Sequence, residues 1–350
     1  MEKIVVATSG GVDSSVAAAL LKGAGCEVIG VFMKLADLPK FKEGEKRARK
    51  IAKTLRIPFL VLDLRKEFKK RIVDYFLEGY KKGITPNPCV VCNKEIKFGL
   101  LLEKALALDA DYVATGHYAR LGREIRNSKF EIRKLMKTKD KDKDQSYFLW
   151  QLNQKQLKRI LFPIGDYTRK EVENLARKFK LPVLKARKSV EICFIKTTIN
   201  DFLKKYLKEK PGKIICSSPG DEQKVVGEHQ GLWFYTIGQR KGIGLPGGPY
   251  YVLDKNLKKN LLIVTKNEKD LLKKELICKN VNWISGRVPK LPQKVKVKIR
   301  YRHELARAAI YKILNTKYKI LFSSPQRAIT PGQSVVFYKG QEVLGGGIIC

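Results

Sequence analysis

Histidine is scarce in this chain, and paired cysteine motifs are few. The 350 residues contain three histidines, and the Cys-x-x-Cys pair of Cys89 and Cys92 has no second pair to complete it. A closed zinc site takes four such ligands, so the sequence gives little support for one. Seven cysteines in a chain of this length also do not resemble a secreted disulfide framework. We therefore expect a reducing compartment, with thiols that act in catalysis or bind a metal.

Long apolar runs are missing as well. No run reaches about eighteen apolar residues, and the N-terminus enters a strand without a basic and then apolar leader. These absences predict a soluble, cytoplasmic protein with no membrane partner.

Acidic residues are outnumbered by basic ones. Lys and Arg number 72 against 34 Asp and Glu, which leaves a net charge of +38 at pH 7. Lysines on ordinary helix faces, such as residues 42–53, account for part of the excess and suit a lysine-rich genome. The remainder is more than solubility requires, and it favours a polyanionic partner such as a nucleic acid.

The first half of the chain alternates strands and helices. The predicted strands are 3–8, 27–33, 59–64 and 111–115, and the predicted helices are 14–22, 43–56, 67–80 and 93–108. Such alternation indicates an α/β fold with a doubly wound parallel sheet. Ligands bind such a sheet at the carboxyl ends of its strands, where the loop at Ser9, Met33 and residues 115–117 should meet.

The rest of the chain has a different pattern of predicted elements. Residues 130–135 alternate like one strand of a small hairpin, and residues 153–161 and 169–179 predict helices. Beyond about residue 205, turns rich in Pro and Gly separate short runs of Val, Ile, Leu and Tyr, which is typical of small β domains. We expect three domains, at residues 1–204, 205–272 and 273–350.

Residues 294–302 alternate strictly between apolar and basic side chains. One face carries Val, Val, Ile and Tyr, and the other carries five cations: Lys294, Lys296, Lys298, Arg300 and Arg302. This row of charge suits a phosphate backbone. The alternative is a solvated edge strand that its lysines protect from further pairing.

A glycine-rich turn follows the first strand. Gly10 and Gly11 let the backbone approach a ligand closely, and the start of the next helix presents unpaired N–H groups with a positive partial charge. Three hydroxyls add hydrogen-bond donors: Ser9, Ser14 and Ser15. Asp13 suits a divalent cation such as Mg²⁺ that accompanies the ligand. The turn is predicted to hold a phosphate group; the alternative is a plain strand-to-helix turn with a capping serine.

This turn differs from the common mononucleotide loop, because it lacks the spaced glycines and the Gly-Lys-Ser/Thr ending. Residues 9–15, Ser-Gly-Gly-Val-Asp-Ser-Ser, instead resemble the pyrophosphate loop (PP-loop) of the ATP pyrophosphatase superfamily. The resemblance implies that ATP is split between its α- and β-phosphates while an acceptor oxygen is adenylated. AMP and pyrophosphate would be the products.

Two thiols belong to a proline-stiffened loop at residues 85–94. Cys89 and Cys92 should lie at the start of the helix at 93–108, where the helix N-terminus and Lys94 would lower the thiol pKa. The spacing alone suits a disulfide pair, half a zinc site or cluster ligands.

The other cysteines carry weaker signals. Cys193 lies in the apolar run 189–195, and the plain alternative for it is a buried strand cysteine. Four cysteines have no partner residues nearby and are interpreted as structural: Cys26, Cys216, Cys278 and Cys350.

Eight blocks, in order along nearly the whole chain, resemble the tRNA-specific 2-thiouridylases. They are residues 9–15, 85–98, 114–118, 143–149, 191–195, 227–231, 236–242 and 330–334. The resemblance implies ATP-dependent replacement of O2 of the anticodon wobble uridine by sulfur, with the anticodon stem-loop of tRNA as partner. It also implies a PP-loop catalytic domain, a small central domain, and a C-terminal β-barrel-like domain that contacts tRNA.

The resemblance assigns residues by matching position. ATP would bind Ala7, Thr8, Ser9, Gly10, Gly11, Val12, Asp13, Ser14, Met33 and Gly116. The target base would face Asn87, Pro88 and Cys89, and tRNA would contact His117, Lys143, Asp144, Gln145, Arg300, Tyr301 and Gln333. Cys92 would be the nucleophile, and Cys193 would carry a persulfide.

One position departs from the family, and two sulfur mechanisms stay open. Many members have aspartate, proposed as an acid/base, where this chain has Cys89. In the first mechanism, Cys193 takes a persulfide from a carrier protein, transfers the terminal sulfur, and resolves as a disulfide with Cys92. In the second, Cys89, Cys92 and Cys193 ligate three irons of a 4Fe-4S cluster whose open iron binds free sulfide.

Two competing functions remain. One is an ATP-dependent amidotransferase or ligase of the same superfamily that acts on a small molecule; it would not need the charge of +38 or the cationic strand. The other is an RNA-binding protein with a degenerate nucleotide loop, and the intact Asp13 and Ser14 speak against it.

Overall fold

The structure is a computed structural model that describes residues 1–126, 130–182, 192–217, 224–314 and 316–350. The strands are β1 (Lys3–Ala7), β2 (Glu27–Lys34), β3 (Phe59–Asp63), β4 (Tyr112–Thr115), β5 (Arg120–Arg126), β6 (Phe130–Met136), β7 (Ile160–Leu161), β8 (Gly212–Cys216), β9 (Lys224–His229), β10 (Tyr251–Asn256), β11 (Leu261–Thr265), β12 (Leu272–Trp283), β13 (Gln293–Lys298), β14 (Ala306–Leu314), β15 (Lys317–Arg327), β16 (Ser334–Lys339) and β17 (Glu342–Ile349).

The helices are α1 (Val12–Gly23), α2 (Pro39–Leu55), α3 (Arg65–Phe68), α4 (Asp74–Lys81), α5 (Pro88–Cys92), α6 (Leu101–Leu106), α7 (Gln154–Leu157), α8 (Arg169–Lys178) and α9 (Ile199–Lys204). Two π-helical segments make longer helices continuous: Lys69–Val73 joins α3 to α4, and Asn93–Leu100 joins α5 to α6. Among the described residues, no helix is long and apolar enough to cross a bilayer.

The first sheet is parallel, with strand order β3-β2-β1-β4-β7. Alternate residues of β1 point to opposite faces. Val5 and Ala7 pack in one core with α6, and Ile4 and Val6 pack in another with Ala18 of α1. The predicted doubly wound parallel sheet is therefore confirmed.

One predicted helix is wrong. The helix expected over 153–161 is limited to α7, where Asn153 and Gln156 form a capping box, and Ile160 and Leu161 instead form β7. Ile160 is 1% exposed and pairs with Val113 at the edge of the sheet. Burial against a strand distant in sequence outweighs local helix propensity.

The second half forms two β structures, as expected. β10, β11, β8 and β9 make a small sheet, and β12, β15, β14, β13, β16 and β17 make a barrel that the β12–β17 pairing closes. The predicted hairpin at 130–135 is also present as β5–β6, but it does not stand alone. β6 pairs with β17, Leu135 opposite Val343, so the first domain adds two strands to the sheet of the barrel.

Candidate functional site

The glycine-rich turn lies between β1 and α1. Gly10 has φ +74°, and a Cβ there would stand 2.3 Å from the carbonyl oxygen of Gly44 in α2. Glycine is therefore required both by the left-handed backbone and by the contact with α2. Gly116, which follows β4, packs against the turn from the other side. A Cβ added at Gly116 would stand 2.5 Å from the backbone nitrogen of Ser14, so a side chain has no room there.

The hydroxyls of the turn hold its shape. Ser14 Oγ accepts a hydrogen bond of 3.1 Å from the Ser9 backbone N–H, and Ser15 Oγ donates one of 2.7 Å to the Gly11 carbonyl. Thr8 Oγ1 is buried and has no partner among the described residues. A preformed turn, a helix N-terminus and an unpartnered hydroxyl fit the triphosphate of ATP.

Asp13, the predicted magnesium ligand, is already paired. Its Oδ1 accepts hydrogen bonds from Nη1 of Arg169 at 2.7 Å and from the phenol of Tyr118 at 2.9 Å. Sequence reasoning missed Arg169, which directly follows the helix cap Thr168 and reaches Asp13 because α8 packs on α1. No local signal in the sequence marks this contact.

The two thiols of the Pro-Asn-Pro loop lie inside a helix and not before it. Asn87 caps α5, accepting a hydrogen bond of 3.4 Å from the Val90 N–H, and Pro88 is the first helical residue. Cys89 and Cys92 are three residues apart and therefore share a face of this helix.

The expected lowering of the thiol pKa is wrong in sign. Burial raises the pKa of Cys89 to about 11 and that of Cys92 to about 12, with the positive charge of Lys97 acting in the opposite direction. Cys92 is 7% exposed, so loss of hydration outweighs the helix N-terminus.

Cys193 is placed differently from the buried strand cysteine considered above. It is exposed, and residues 192–195 form turns and not a strand; residues 183–191, including the rest of that motif, lie outside the described residues. Its neighbour Phe194 is buried, with its ring edge-on to Phe68 and Phe76 at 5.8 and 5.4 Å between centroids. These aromatic contacts anchor the segment on the helix 65–81.

The three thiols are electrostatic neighbours. Negative charge on Cys193 raises the pKa of both Cys89 and Cys92, in addition to the larger effect of burial. Cys193 as a residue is exposed, but the protein atoms around its sulfur displace water from it, and this loss of hydration raises its own pKa. All three are free thiols. Within the described part of the chain, no group of three or more His, Cys, Asp or Glu side chains is arranged to hold a metal ion, so these thiols are not placed to share one.

His117 connects the nucleotide turn to the thiol helix. It follows Gly116, its Nδ1 lies 2.7 Å from Thr115 Oγ1, and its Nε2 lies 3.3 Å from Nζ of Lys97. Burial and, secondarily, Lys97 hold the pKa of His117 well below its ordinary value, so the imidazole is neutral at pH 7.

Residues 143–145 lie next to this connection. Oδ1 of Asp144 accepts from the backbone N–H groups of Thr138 and Ser146, and Oε1 of Gln145 accepts a 3.0 Å bond from the Tyr118 N–H. Asp144 is buried. Both side chains therefore fix the loop beside His117, and Lys143 is half-buried.

The barrel docks on the loop that precedes α5. Nε2 of Gln333 donates a 2.8 Å hydrogen bond to the Thr85 carbonyl, and the Thr85 N–H donates one of 2.8 Å to the Pro331 carbonyl. The ring of Tyr301 lies 4.5 Å from that of Phe148, and Arg300 donates to the Arg327 carbonyl at 3.4 Å. Asn93 of the thiol helix donates a 3.1 Å hydrogen bond to the Phe148 carbonyl, so Tyr301 and Gln333 each contact a residue next to this helix.

The cationic stretch is confirmed in pattern but shorter than predicted. Val295 and Val297 are buried and Lys294 and Lys296 are exposed, but the strand ends at Lys298, and residues 299–302 turn away. The alternative of an edge strand is wrong, because β13 pairs with β14 on one side and β16 on the other.

A parallel sheet with a glycine turn at a helix N-terminus, held between β1 and the end of β4, defines an ATP-using α/β protein. Three family models match the chain: "tRNA methyl transferase HUP domain" at residues 2–197, "tRNA methyl transferase PRC-barrel domain" at 200–266, and "Aminomethyltransferase beta-barrel domain" at 273–349.

Curated relatives match over the full length. The chain is 44% identical to the tRNA-specific 2-thiouridylase MnmA of Clostridium perfringens, over 99% of this chain and 98% of that protein. It is 46% identical to MnmA 2 of Clostridium tetani, over 99% and 98%, and 43% identical to MnmA of Carboxydothermus hydrogenoformans, over 99% and 97%. The chain belongs to the family of tRNA-specific 2-thiouridylases.

Solved structures match less closely. The U34-tRNA thiolase NcsA from Methanococcus maripaludis, with its 4Fe-4S cluster, aligns with 55% of this chain and 60% of its own at 18% identity, with a TM-score of 0.37.

Proposed function

We propose that this protein replaces O2 of the wobble uridine in tRNA anticodons by sulfur, with cleavage of ATP to AMP and pyrophosphate. The observation that carries this proposal is the path through residues 115–118. Gly116 lies against the nucleotide turn at Ser14, and His117 is bonded to Lys97 on the helix of Cys89 and Cys92. An activated oxygen and a sulfur nucleophile could therefore meet at one place.

The chemistry requires both components. Uracil O2 is a poor leaving group, so O2 first attacks the α-phosphorus of ATP; pyrophosphate leaves, N3 loses its proton, and an adenylated uridine forms. The terminal sulfur of a persulfide on Cys193 then attacks C2, and AMP leaves with the electrons of the C2–O2 bond. Methyl transfer, which the names of two of the matching family models suggest, would need no such splitting of ATP.

Release completes the cycle. The Cys92 thiolate attacks Sγ of Cys193, the bond between Cys193 and the transferred sulfur breaks, and 2-thiouridine leaves as N3 regains a proton. A Cys92–Cys193 disulfide remains, and two electrons from a thiol reductant restore both cysteines. A persulfide carrier protein supplies the next sulfur by exchange with the Cys193 thiolate.

We assign the site residues as the family pattern suggests. ATP with Mg²⁺ would be held by residues 7–14, Met33 and Gly116. Asp13 would offer a cation its Oδ2, because Oδ1 is bonded to Arg169 and Tyr118. The extruded base faces Asn87, Pro88 and Cys89. Further tRNA contacts come from His117, residues 143–145, Arg300, Tyr301 and Gln333, with residues 273–350 as the tRNA-contacting domain.

A cluster mechanism receives less support. The thiols of Cys89, Cys92 and Cys193 do not fit a shared metal site in this arrangement, and no step above uses one. Iron and labile-sulfide analysis of anaerobically purified protein tests this directly. An iron-free chain that thiolates tRNA from a persulfide donor supports the persulfide route, and a stoichiometric cluster needed for activity would replace it.

The compartment follows from the same chemistry. Free thiols and a tRNA substrate suit the reducing cytoplasm, where we place the enzyme.

The decisive experiment separates the two half-reactions. Cys193→Ser should retain tRNA-dependent pyrophosphate release and lose 2-thiouridine, measured by nucleoside mass spectrometry. Cys350→Ser is the matched control, since Cys350 is likewise exposed but lies at the end of the barrel; it should retain both. Thiolation by Cys193→Ser would refute the assignment. Pyrophosphate release with a small amine acceptor and without tRNA would instead favour a ligase.

A further inference from the structure

Lys97 occupies a position that the mechanism above does not use. Its Nζ lies 3.3 Å from Nε2 of His117, and the side chain is half-buried. An ammonium group can only donate, so Nε2 is the acceptor and the proton of the neutral imidazole is on Nδ1, facing Thr115 Oγ1 at 2.7 Å. This bond uses one of three ammonium protons, and two are left for other partners.

The π-helical segment brings Lys97 to the face of the thiols. Lys97 is five residues after Cys92, and in an uninterrupted α-helix it would lie about 140° around the axis from it. The helix is π-helical from Asn93 to Leu100. One extra residue in the turn puts residue i+5 where residue i+4 normally stands, about 40° from residue i. The insertion therefore aligns the lysine with Cys92, and with Cys89 one turn earlier.

The charge of Lys97 reaches all three thiols. It lowers the pKa of Cys89, of Cys92 and of Cys193, against the larger opposing effect of burial. Lys94, the lysine that the sequence singled out, is exposed on the same helix and has no such effect among these described thiols.

We propose that Lys97 is a positioning residue whose ammonium, held by the neutral His117, supplies the positive charge that stabilises sulfur anions at Cys89, Cys92 and Cys193. A perthiolate on Cys193 and the attacking thiolate of Cys92 both concentrate negative charge in a partly desolvated site, where a fixed cation acts strongly. This role rests on the proposed sulfur transfer, but the charge itself can be measured without substrate.

The test uses the full chain without tRNA or ATP, so its outcome does not depend on the proposed reaction. Iodoacetamide alkylation rates of each cysteine are followed by peptide mass spectrometry in Lys97→Met, Lys97→Arg and the control Lys94→Met. Loss of the charge should slow alkylation of Cys89, Cys92 and Cys193 by about threefold to tenfold. Lys97→Arg and Lys94→Met should stay within about twofold of the parent, and Cys26 should be unaffected in all variants.

A second reagent pair separates charge from access. Anionic and cationic methanethiosulfonates of similar size react with the same sulfur, and Lys97→Met should lower the anionic-to-cationic rate ratio at Cys193 by about threefold or more. Altered packing alone would change both rates together. The proposal would be overturned if Lys97→Met changed neither the rate ratio nor the alkylation rates. It would also be overturned if Lys97→Arg slowed alkylation as much as Lys97→Met does.

Discussion

The indole N–H of Trp150 donates a 3.0 Å hydrogen bond to Oγ of Ser334, and both residues are buried. Trp150 belongs to the first domain, and Ser334 begins β16 of the barrel. The phenol of Tyr147 donates a second bond, 2.9 Å long, to the Ser334 carbonyl, and Tyr338 of β16 packs in the same core. One serine thus fixes the barrel against the domain that carries the thiols.

Removing that hydroxyl should destabilise the whole molecule. Ser334→Ala leaves the buried indole N–H without a partner, which costs about 1–3 kcal/mol. We expect thermal unfolding, followed by circular dichroism, to shift downward by about 2–6 °C. Ser323→Ala, at an exposed site on β15, is the control and should melt like the parent. Equal melting temperatures for both variants would contradict the role of Ser334.

Gly10 should be intolerant of any side chain for two separable reasons. In Gly10→Ala, the residue has a positive φ and the new Cβ would stand 2.3 Å from the Gly44 carbonyl oxygen. In Gly25→Ala, the residue also has a positive φ, +84°, but no atom lies within 4 Å of the new Cβ. Backbone strain alone, in Gly25→Ala, should cost about 1 kcal/mol and leave catalysis intact. Gly10→Ala should also distort the turn and reduce pyrophosphate release at least about tenfold. Equal activity of the two variants would mean that the turn does not bind ATP.

Arg169 should be needed for ATP affinity. Without it, the carboxylate of Asp13 would face the phosphates uncompensated, so Arg169→Met should raise the KM for ATP in pyrophosphate release by about tenfold. Arg177→Met, an exposed change on the same helix, should leave the KM unchanged. If the two variants have the same KM, Arg169 serves only to hold α8.

The salt dependence of tRNA binding should report Arg300. The net charge predicts a steep fall in affinity with salt, and Arg300→Ala should reduce the log–log slope by about one unit while ATP binding stays the same. Lys178→Ala, exposed on α8, is the control with the same charge change. Filter binding across several salt concentrations measures both slopes. An unchanged slope for Arg300→Ala would exclude a phosphate contact.

The buried thiols should react more slowly than ordinary ones at neutral pH. With its pKa raised to about 12, Cys92 is almost wholly protonated at pH 7, and its thiolate fraction grows tenfold with each pH unit. Alkylation of Cys92 should therefore rise steadily from pH 7 to 9 without a plateau. The same cysteine in the unfolded chain should level off near its ordinary pKa of about 8.5. A plateau below pH 8 in the folded chain would show that Cys92 is activated before tRNA arrives.

Local sequence patterns determined the first strands, the nucleotide turn and the family of this protein. Short apolar runs rich in β-branched residues placed β1, β2, β3 and β4, the glycine and serine residues marked the nucleotide turn, and the ordered motifs indicated the family. Each of these signals is carried by residues within a few positions of one another, where backbone conformation and side-chain periodicity are decided.

Tertiary structure alone decided the rest. The two-residue strand β7, the bond from Arg169 to Asp13, the addition of β5–β6 to the barrel and the pairing of β13 on both sides all join residues distant in sequence. The thiols show the reason most clearly. A helix N-terminus and a nearby lysine predict a low pKa for a thiol. The surrounding fold instead removes water from Cys92 and raises its pKa. That loss of hydration depends on side chains from distant parts of the chain.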